Sequence, residues 1–262
     1  ASQLQPERWP GTARLCASLQ DERQRKIASD RAETHLAAKI EKNPFDHGAR
    51  IELARVYVDS DRMEDASVLV LQGLQLVGDE KTPLTLALRR AASDLWLLQF
   101  DSIAEHTEED LIQKHSLVSK AIELDSNNPN VYGKMLDLYQ SNQLPENRNA
   151  MVRMLEQQIA KGNSIAMAHF ALGTAKWIDG NTDDALWHTE RAVELDSNLT
   201  DVTNNLAWLL SHRDSPDLQR AISLIEMALA KRPADYRYRD TRGTILMKLQ
   251  RWDDALTDFE TI

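Results

Sequence analysis

A register that returns every 34 to 36 residues restricts this chain more than any other feature. Ala185 and Ala221 stand 36 residues apart, and Ala221 and Ala255 stand 34 apart. The clearest unit begins near Ala166. It carries His169, Phe170, Ala171, Leu172 and Gly173, then Trp177, a turn at Gly180 and Asn181, and a second helical stretch with Ala185 and Ala192. Leu206 and Ala207 repeat Leu172 and Gly173, Ala228 repeats Ala192, and Pro233 closes the unit. Gly243, Ala255 and Phe259 then start the pattern again. The longer spacing is taken up by a turn insertion at residues 212–216. One helix-turn-helix unit cannot bury its apolar face alone, so such units fold by stacking on their neighbours.

These residues resemble the tetratricopeptide repeat family, and the stretch from Asn204 to Ala255 is most similar to the repeats of large bacterial arrays. The family pattern has a small residue after an apolar one in the first helix, a Tyr three residues later, two Ala in the second helix and a closing Pro. Here the Tyr is present as Tyr57 and Tyr139 but is replaced by Lys176, Leu210 and Leu246. The family's first aromatic is replaced by His169, Thr203 and Arg239. The resemblance implies an all-α, right-handed superhelical solenoid of helix-turn-helix hairpins. It also implies a concave wall built mainly from first helices, with peptides or partner helices as ligands.

The units predicted from the pattern are an extended segment over residues 1–18, with Pro6 and Pro10, and then an array over 19–262. Its divisions are a half-repeat or cap at 19–42, and units at 46–80, 82–128, 129–165, 166–199 and 200–235, with an incomplete unit at 236–262. In the first helix, Ile27, Ala38 and Ile40 are the expected inward positions. The unit at 82–128 is lengthened. Thr82 followed by Pro83 reads as a helix start, and Thr107 with Asp110 three residues on is a second one. The incomplete last unit leaves Leu256, Phe259 and Ile262 expected to be exposed, which would favour self-association.

Composition agrees with an all-helical chain: Gly 9 and Pro 8 are few, and aromatic residues make up only 6%. The net charge of −10 opposes phosphate backbones, so nucleic acid is not an expected partner. No apolar run approaches the roughly 20 residues needed to span a bilayer. The lone thiol, Cys16, cannot form an internal disulfide. No cofactor or metal is expected. The chain has no phosphate loop and no nucleophile elbow. Its richest ligand cluster (Glu105, His106, Glu108, Glu109, Asp110 and nearby His115) reads as charge stabilised at a helix start. Catalysis is therefore not expected, and the location reads as cytoplasmic or periplasmic in a bacterium.

Expected instead is a protein-interaction scaffold that binds a peptide or partner protein in its groove. The alternative is a regulatory repeat region of a larger enzyme. By the family's register the groove candidates are Phe170, Trp177, Asn204, Asn205, Trp208, Arg237, Thr241 and Thr244. Aromatic and Arg side chains are favoured anchors at interfaces, although the three aromatics could equally pack between hairpins. Asn205 stands where some arrays hold peptide backbone, but no Asn ladder extends through the other units. The family's carboxylate clamp is broken by Thr174 and Thr241. Residues 231–251 carry seven cations (Lys231, Arg232, Arg237, Arg239, Arg242, Lys248 and Arg251) against Asp235 and Asp240, a local charge of +5. This stretch suggests either an acidic partner at the C-terminal end or a solvated surface.

Overall fold

The computed structural model describes residues 22–78, 82–104, 107–141 and 145–262. The expected extended segment at 1–18, Cys16, Glu105 and His106 lie outside these residues. The described residues form thirteen α-helices and no strand. They fall into two compact units, Ala1–Val131 and Tyr132–Ile262.

The first unit holds α1 (Glu22–Lys42), α2 (His47–Asp59), α3 (Met63–Val77), α4 (Pro83–Ser102) and α5 (Glu108–Leu124). In α1 the buried stripe is Ala28, Ala32 and Leu36, not the expected set: Ile27 is 37% exposed and Ala38 lies on the outside. Spacing of four residues keeps Ala28, Ala32 and Leu36 on one face. Ala32 and Leu36 pack on Ala49, Leu53 and Val56 of α2, and Ile40 adds only partial cover. The small Ala32 leaves α2 room to come close.

The α2–α3 hairpin holds a buried cation. Arg50 is 5% exposed and donates to Pro44 O at 3.1 and 3.2 Å and to Leu69 O at 3.3 Å. Desolvation lowers its pKa from the usual arginine value. A Cβ on Gly73 would lie 2.8 Å from Arg50 Cδ and 3.0 Å from Leu88 Cδ2. Gly73 therefore makes room for the Arg50 stem where α2, α3 and α4 meet. Ile51, Ala54, Val70, Leu88 and Ala92 form the core there.

The helices α4 and α5 run for 20 and 17 residues, longer than the 13 and 15 of α2 and α3. Both start with a reciprocal cap. Thr85 N donates to Thr82 Oγ1 at 3.2 Å, and Thr82 N donates to Thr85 Oγ1 at 2.9 Å. Asp110 N donates to Thr107 Oγ1 at 3.1 Å, and Thr107 N donates to Asp110 Oδ2 at 2.9 Å. Each cap satisfies amides that the helix itself leaves unpaired. Buried Asn128 then ties the end of α5 to α4, donating to Ser93 Oγ at 2.9 Å and Asp94 Oδ1 at 2.8 Å.

The second unit begins within α6 (Pro129–Ser141). It continues through α7 (Pro145–Ala160), α8 (Ile165–Ile178), α9 (Thr182–Leu195), α10 (Thr200–His212), α11 (Leu218–Lys231), α12 (Tyr236–Lys248) and α13 (Trp252–Glu260). Tyr139 of α6 donates to Asp179 Oδ2 at 2.6 Å, just past α8. Its phenol is pushed up to about 12, first by burial and then by this carboxylate. In α7 Met151 and Leu155 fill the core, and Ala150 is only half-buried.

Two constraints set the hairpins. The first is the turn. Gly180 has φ +78°, Gly180 N donates to Trp177 O at 3.0 Å, and Asn181 N donates to Lys176 O at 2.9 Å. This is a Schellman closure, which satisfies the last carbonyls of the helix. The same pair of bonds recurs around Asp61 and around Gln250, both at positive φ. The second constraint is close approach. A Cβ on Gly173 would lie 2.6 Å from Thr189 Oγ1, 3.1 Å from Ala185 O and 3.2 Å from Thr189 N. A Cβ on Gly243 would lie 2.7 Å from the Phe259 ring. Phe259 is thus partly covered, against the expectation that it stands free, whereas Leu256 and Ile262 are 56% and 55% exposed.

Two glycine substitutions should act in opposite directions. Gly173→Ala forces overlap with backbone that cannot rotate away. We expect it to lower stability by about 1–2 kcal/mol, although Ala is the better helix former. Gly133 of α6 is exposed, with nothing within 4 Å of its Cβ site. Gly133→Ala should raise stability by about 0.5–1 kcal/mol. Urea denaturation midpoints read both; a stabilising Gly173→Ala would contradict the close approach.

Candidate functional site

In the second unit, the free face of α8 meets that of α10 across an open recess of about 330 Å³. Phe170, Gly173, Thr174 and Trp177 recur at helical spacing on one side of α8. Asn204, Asn205, Trp208 and Leu209 come from α10, and Thr189 of α9 contributes where it touches Gly173. Gly173 and Thr189 bring the α8–α9 contact into the lining.

The two indoles set the walls. The Trp177 and Trp208 rings are perpendicular, at 90°, with centroids 5.0 Å apart. Edge-to-face contact of this kind is the favoured aromatic packing. On α10, His212 stacks with Trp208 at 4.2 Å and 19°, so the indole is braced from its own helix. The aromatics thus pack between hairpins and line the recess at once. Trp177, at 36% exposure, still presents surface to solvent.

The polar groups differ in what they have left to offer. Thr174 Oγ1 donates to Phe170 O at 3.1 Å, and Thr189 Oγ1 donates to Ala185 O at 2.7 Å. Asn204 Nδ2 donates to Asn205 Oδ1 at a long 3.3 Å. Asn204 Oδ1 is buried without a hydrogen-bond partner. An unpaired buried acceptor costs about 1–3 kcal/mol, so a turn of the Asn204 amide that brought this oxygen to an incoming donor would be favoured. No ionisable side chain lines the recess.

Five of the eight groove candidates, Phe170, Trp177, Asn204, Asn205 and Trp208, therefore share one recess. Arg237, Arg239, Thr241 and Thr244 of α12 do not line it. Thr241 is buried and its hydroxyl donates to Arg237 O at 3.1 Å. Thr244 is half-buried. Arg237 pairs with Asp201 at 2.8 Å and Asp235 at 2.9 Å. Arg239 donates to Pro233 O at 2.9 Å and lies 3.8 Å from Asp258.

Nor does the basic stretch form an open anion-binding patch. Arg232 pairs with Asp201 at 2.9 Å and Asp235 at 2.7 Å. Arg242 Nε donates to fully buried Asp258 at 2.7 Å. Arg251 pairs with Asp254. Lys231 caps Ser197 O at 2.7 Å, and Lys248 caps Ser211 O at 2.6 Å. The compensating carboxylates Asp201, Asp254 and Asp258 fall outside the 231–251 window, which is why that window read as strongly basic. Missed entirely were His212, Thr189 and Leu209. The four-residue step from Trp208 to His212 was a readable signal for the first; the others depend on how α9 and α10 pack.

Among the described residues, no group of three or more His, Cys, Asp or Glu could hold a metal ion, and no helix is long and apolar enough to cross a membrane. Asp110 of the acidic cluster serves as a cap.

No family model matches the chain, and no curated protein shows significant similarity to it. Solved structures do. A monomeric mutant of IFIT1 with Gppp-AAAA aligns at TM-score 0.52 and 13% identity, over 98% of this chain and 60% of that one. Yeast Tom70 aligns at TM-score 0.50 and 15% identity, over 99% of this chain and 60% of that one. A tetratricopeptide repeat protein from Parabacteroides merdae aligns at TM-score 0.49 and 14% identity, over 97% and 91%. At such identities the likeness is one of fold. The chain has the all-α, tetratricopeptide-like repeat fold.

Next to Phe170, His169 turns the opposite way and meets α9. His169 Nδ1 and His188 Nδ1 lie 2.9 Å apart, with the Trp187 ring edge-on to both. One neutral imidazole must accept from the other. Burial, then His169, holds His188 down to about 4; Asp184 pulls it up and Lys176 pushes it down. Burial and Arg191 lower His169 as well. Between the ordinary value of 6.5 and about 4, the unfolded chain binds a proton at His188 that the folded chain refuses. Stability contributed by the neutral pair is complete above that window and is lost as pH falls through it. His188→Gln should flatten this part of the pH–stability curve relative to wild type. An identical slope in both proteins would contradict the pairing.

Proposed function

We propose that the chain is a protein-interaction scaffold that holds a peptide segment of a partner protein in the recess between α8 and α10. The observation that carries this reading is the convergence of Phe170, Trp177 and Trp208 with two Asn amides in one open recess. A volume of about 330 Å³ accommodates a side chain with its adjoining backbone, at the small end of ligand sites. Preformed aromatic walls lose little side-chain entropy on binding, and Trp is enriched among the residues that dominate interface energies. The two amides offer what an extended peptide needs, since each of its residues brings one donor and one acceptor. A ligand in the recess meets no general acid, base or nucleophilic thiol, which favours binding over chemistry there.

The test uses peptides selected from a random-sequence display library against the wild-type chain. Trp177→Ala combined with Trp208→Ala should weaken the selected peptides by more than about 30-fold, equivalent to about 2 kcal/mol at a hot spot. Asn205→Ala, a gentler change, should cost about 3- to 10-fold. Trp187 and Trp252 are exposed elsewhere, at 58% and 62%, and their Ala variants should bind as wild type does. Peptides that survive the recess variants but not these two would place binding on another surface.

A further inference from the structure

We infer that the side chain anchored in this recess is cationic, a Lys or Arg of the partner. The inference rests on the recess being the binding site. Three features select the charge.

The first is the walls. Aromatic faces carry the negative part of the ring quadrupole, and Trp attracts cations most strongly. Trp177, Trp208 and Phe170 line the same space; His212 takes one face of Trp208, and Trp177 keeps exposed surface.

The second is hydrogen-bonding capacity. The hydroxyl hydrogens of Thr174 and Thr189 are already given to backbone carbonyls, so only oxygen lone pairs remain on them. Asn204 Oδ1 is a buried acceptor with no donor. The amide nitrogens of Asn204 and Asn205 still have N–H groups to give, against four side-chain oxygens (Thr174, Thr189, Asn204 and Asn205) with lone pairs left, so acceptors predominate. A guanidinium or ammonium group brings only donors. A carboxylate would pair with the amide N–H groups alone, and a Leu side chain would leave the oxygens unpaired.

The third is the surrounding charge. No Lys or Arg lines the recess. Lys176, on α8, acts instead on His188 of α9. The seven cations of residues 231–251 are engaged by carboxylates and carbonyls of the same fold. With a net charge of −10, the chain draws basic partners over a distance. This reverses the acidic partner suggested by the local count of charges.

The experiment titrates the wild-type chain with blocked, otherwise all-Ala peptides whose central residue is Arg, citrulline, Leu or Glu. It follows the indole N–H resonances of Trp177 and Trp208. Citrulline has the shape of Arg without its charge. The Arg peptide should bind about 5- to 10-fold tighter than the citrulline or Leu peptide, and the Glu peptide weakest. The Arg advantage should shrink as salt is raised to about 0.5 M. Asn204→Leu should weaken the Arg peptide and strengthen the Leu peptide, an opposed response that a loss of folding cannot produce. If the Leu or Glu peptide binds as tightly as Arg while shifting the same two indoles, the cation inference is overturned and the recess remains the binding site. If no peptide shifts them at millimolar concentration, both fall.

Discussion

Close approach of two helices within a hairpin is the constraint on which the second unit depends. At Gly173 the α8 backbone lies so near Thr189 and the Ala185 carbonyl that even one methyl group would overlap them. Gly243 takes the ring of Phe259 in the same manner. Where the small residue is Ala, as at Ala207 against Ala221, both are completely buried. Such contact is held by dispersion over many atom pairs and tolerates little change in volume. Its geometry is fixed from one end by Schellman turns such as that at Gly180, which return the chain while satisfying the last carbonyls.

The recess lies beside this contact. Helices α8 and α10 use one face on their own hairpin partners, α9 and α11, and keep part of another free. Aromatic side chains placed there serve both the contact between hairpins and the lining of the groove, as the crossed indoles of Trp177 and Trp208 show. Beneath them Gly173 and Thr189, the residues of the close α8–α9 contact, complete the lining.

Those parts of the fold that depend on short spacings were legible in the sequence. The recurrence of Ala185, Ala221 and Ala255, the caps at Thr82 and Thr107, and the grouping of Phe170, Trp177 and Trp208 on first helices all follow from helical period and local hydrogen bonding. What depends on partners far along the chain was not. The charge between Lys231 and Arg251 looked unbalanced because Asp201 reaches Arg237 from a full repeat earlier, and Asp258 reaches Arg242 from the following helix. Thr241 sat in a groove position by register, yet it turns into the core and bonds its own helix. In α1 the expected inward set of Ile27, Ala38 and Ile40 gives way to Ala28, Ala32 and Leu36, because which face is buried depends on where α2 packs, and α2 meets Ala32 and Leu36. His212 and Thr189 carry no motif; their part is visible only once α10 and α9 are placed.

The most direct measurement is a crystal structure of the chain bound to a segment of a partner protein. It should show one partner side chain between Phe170, Trp177 and Trp208, with a donor of that segment within about 3.2 Å of Asn204 Oδ1. A segment seated on the exposed Trp187 or Trp252, with the recess between α8 and α10 left unfilled, would contradict it.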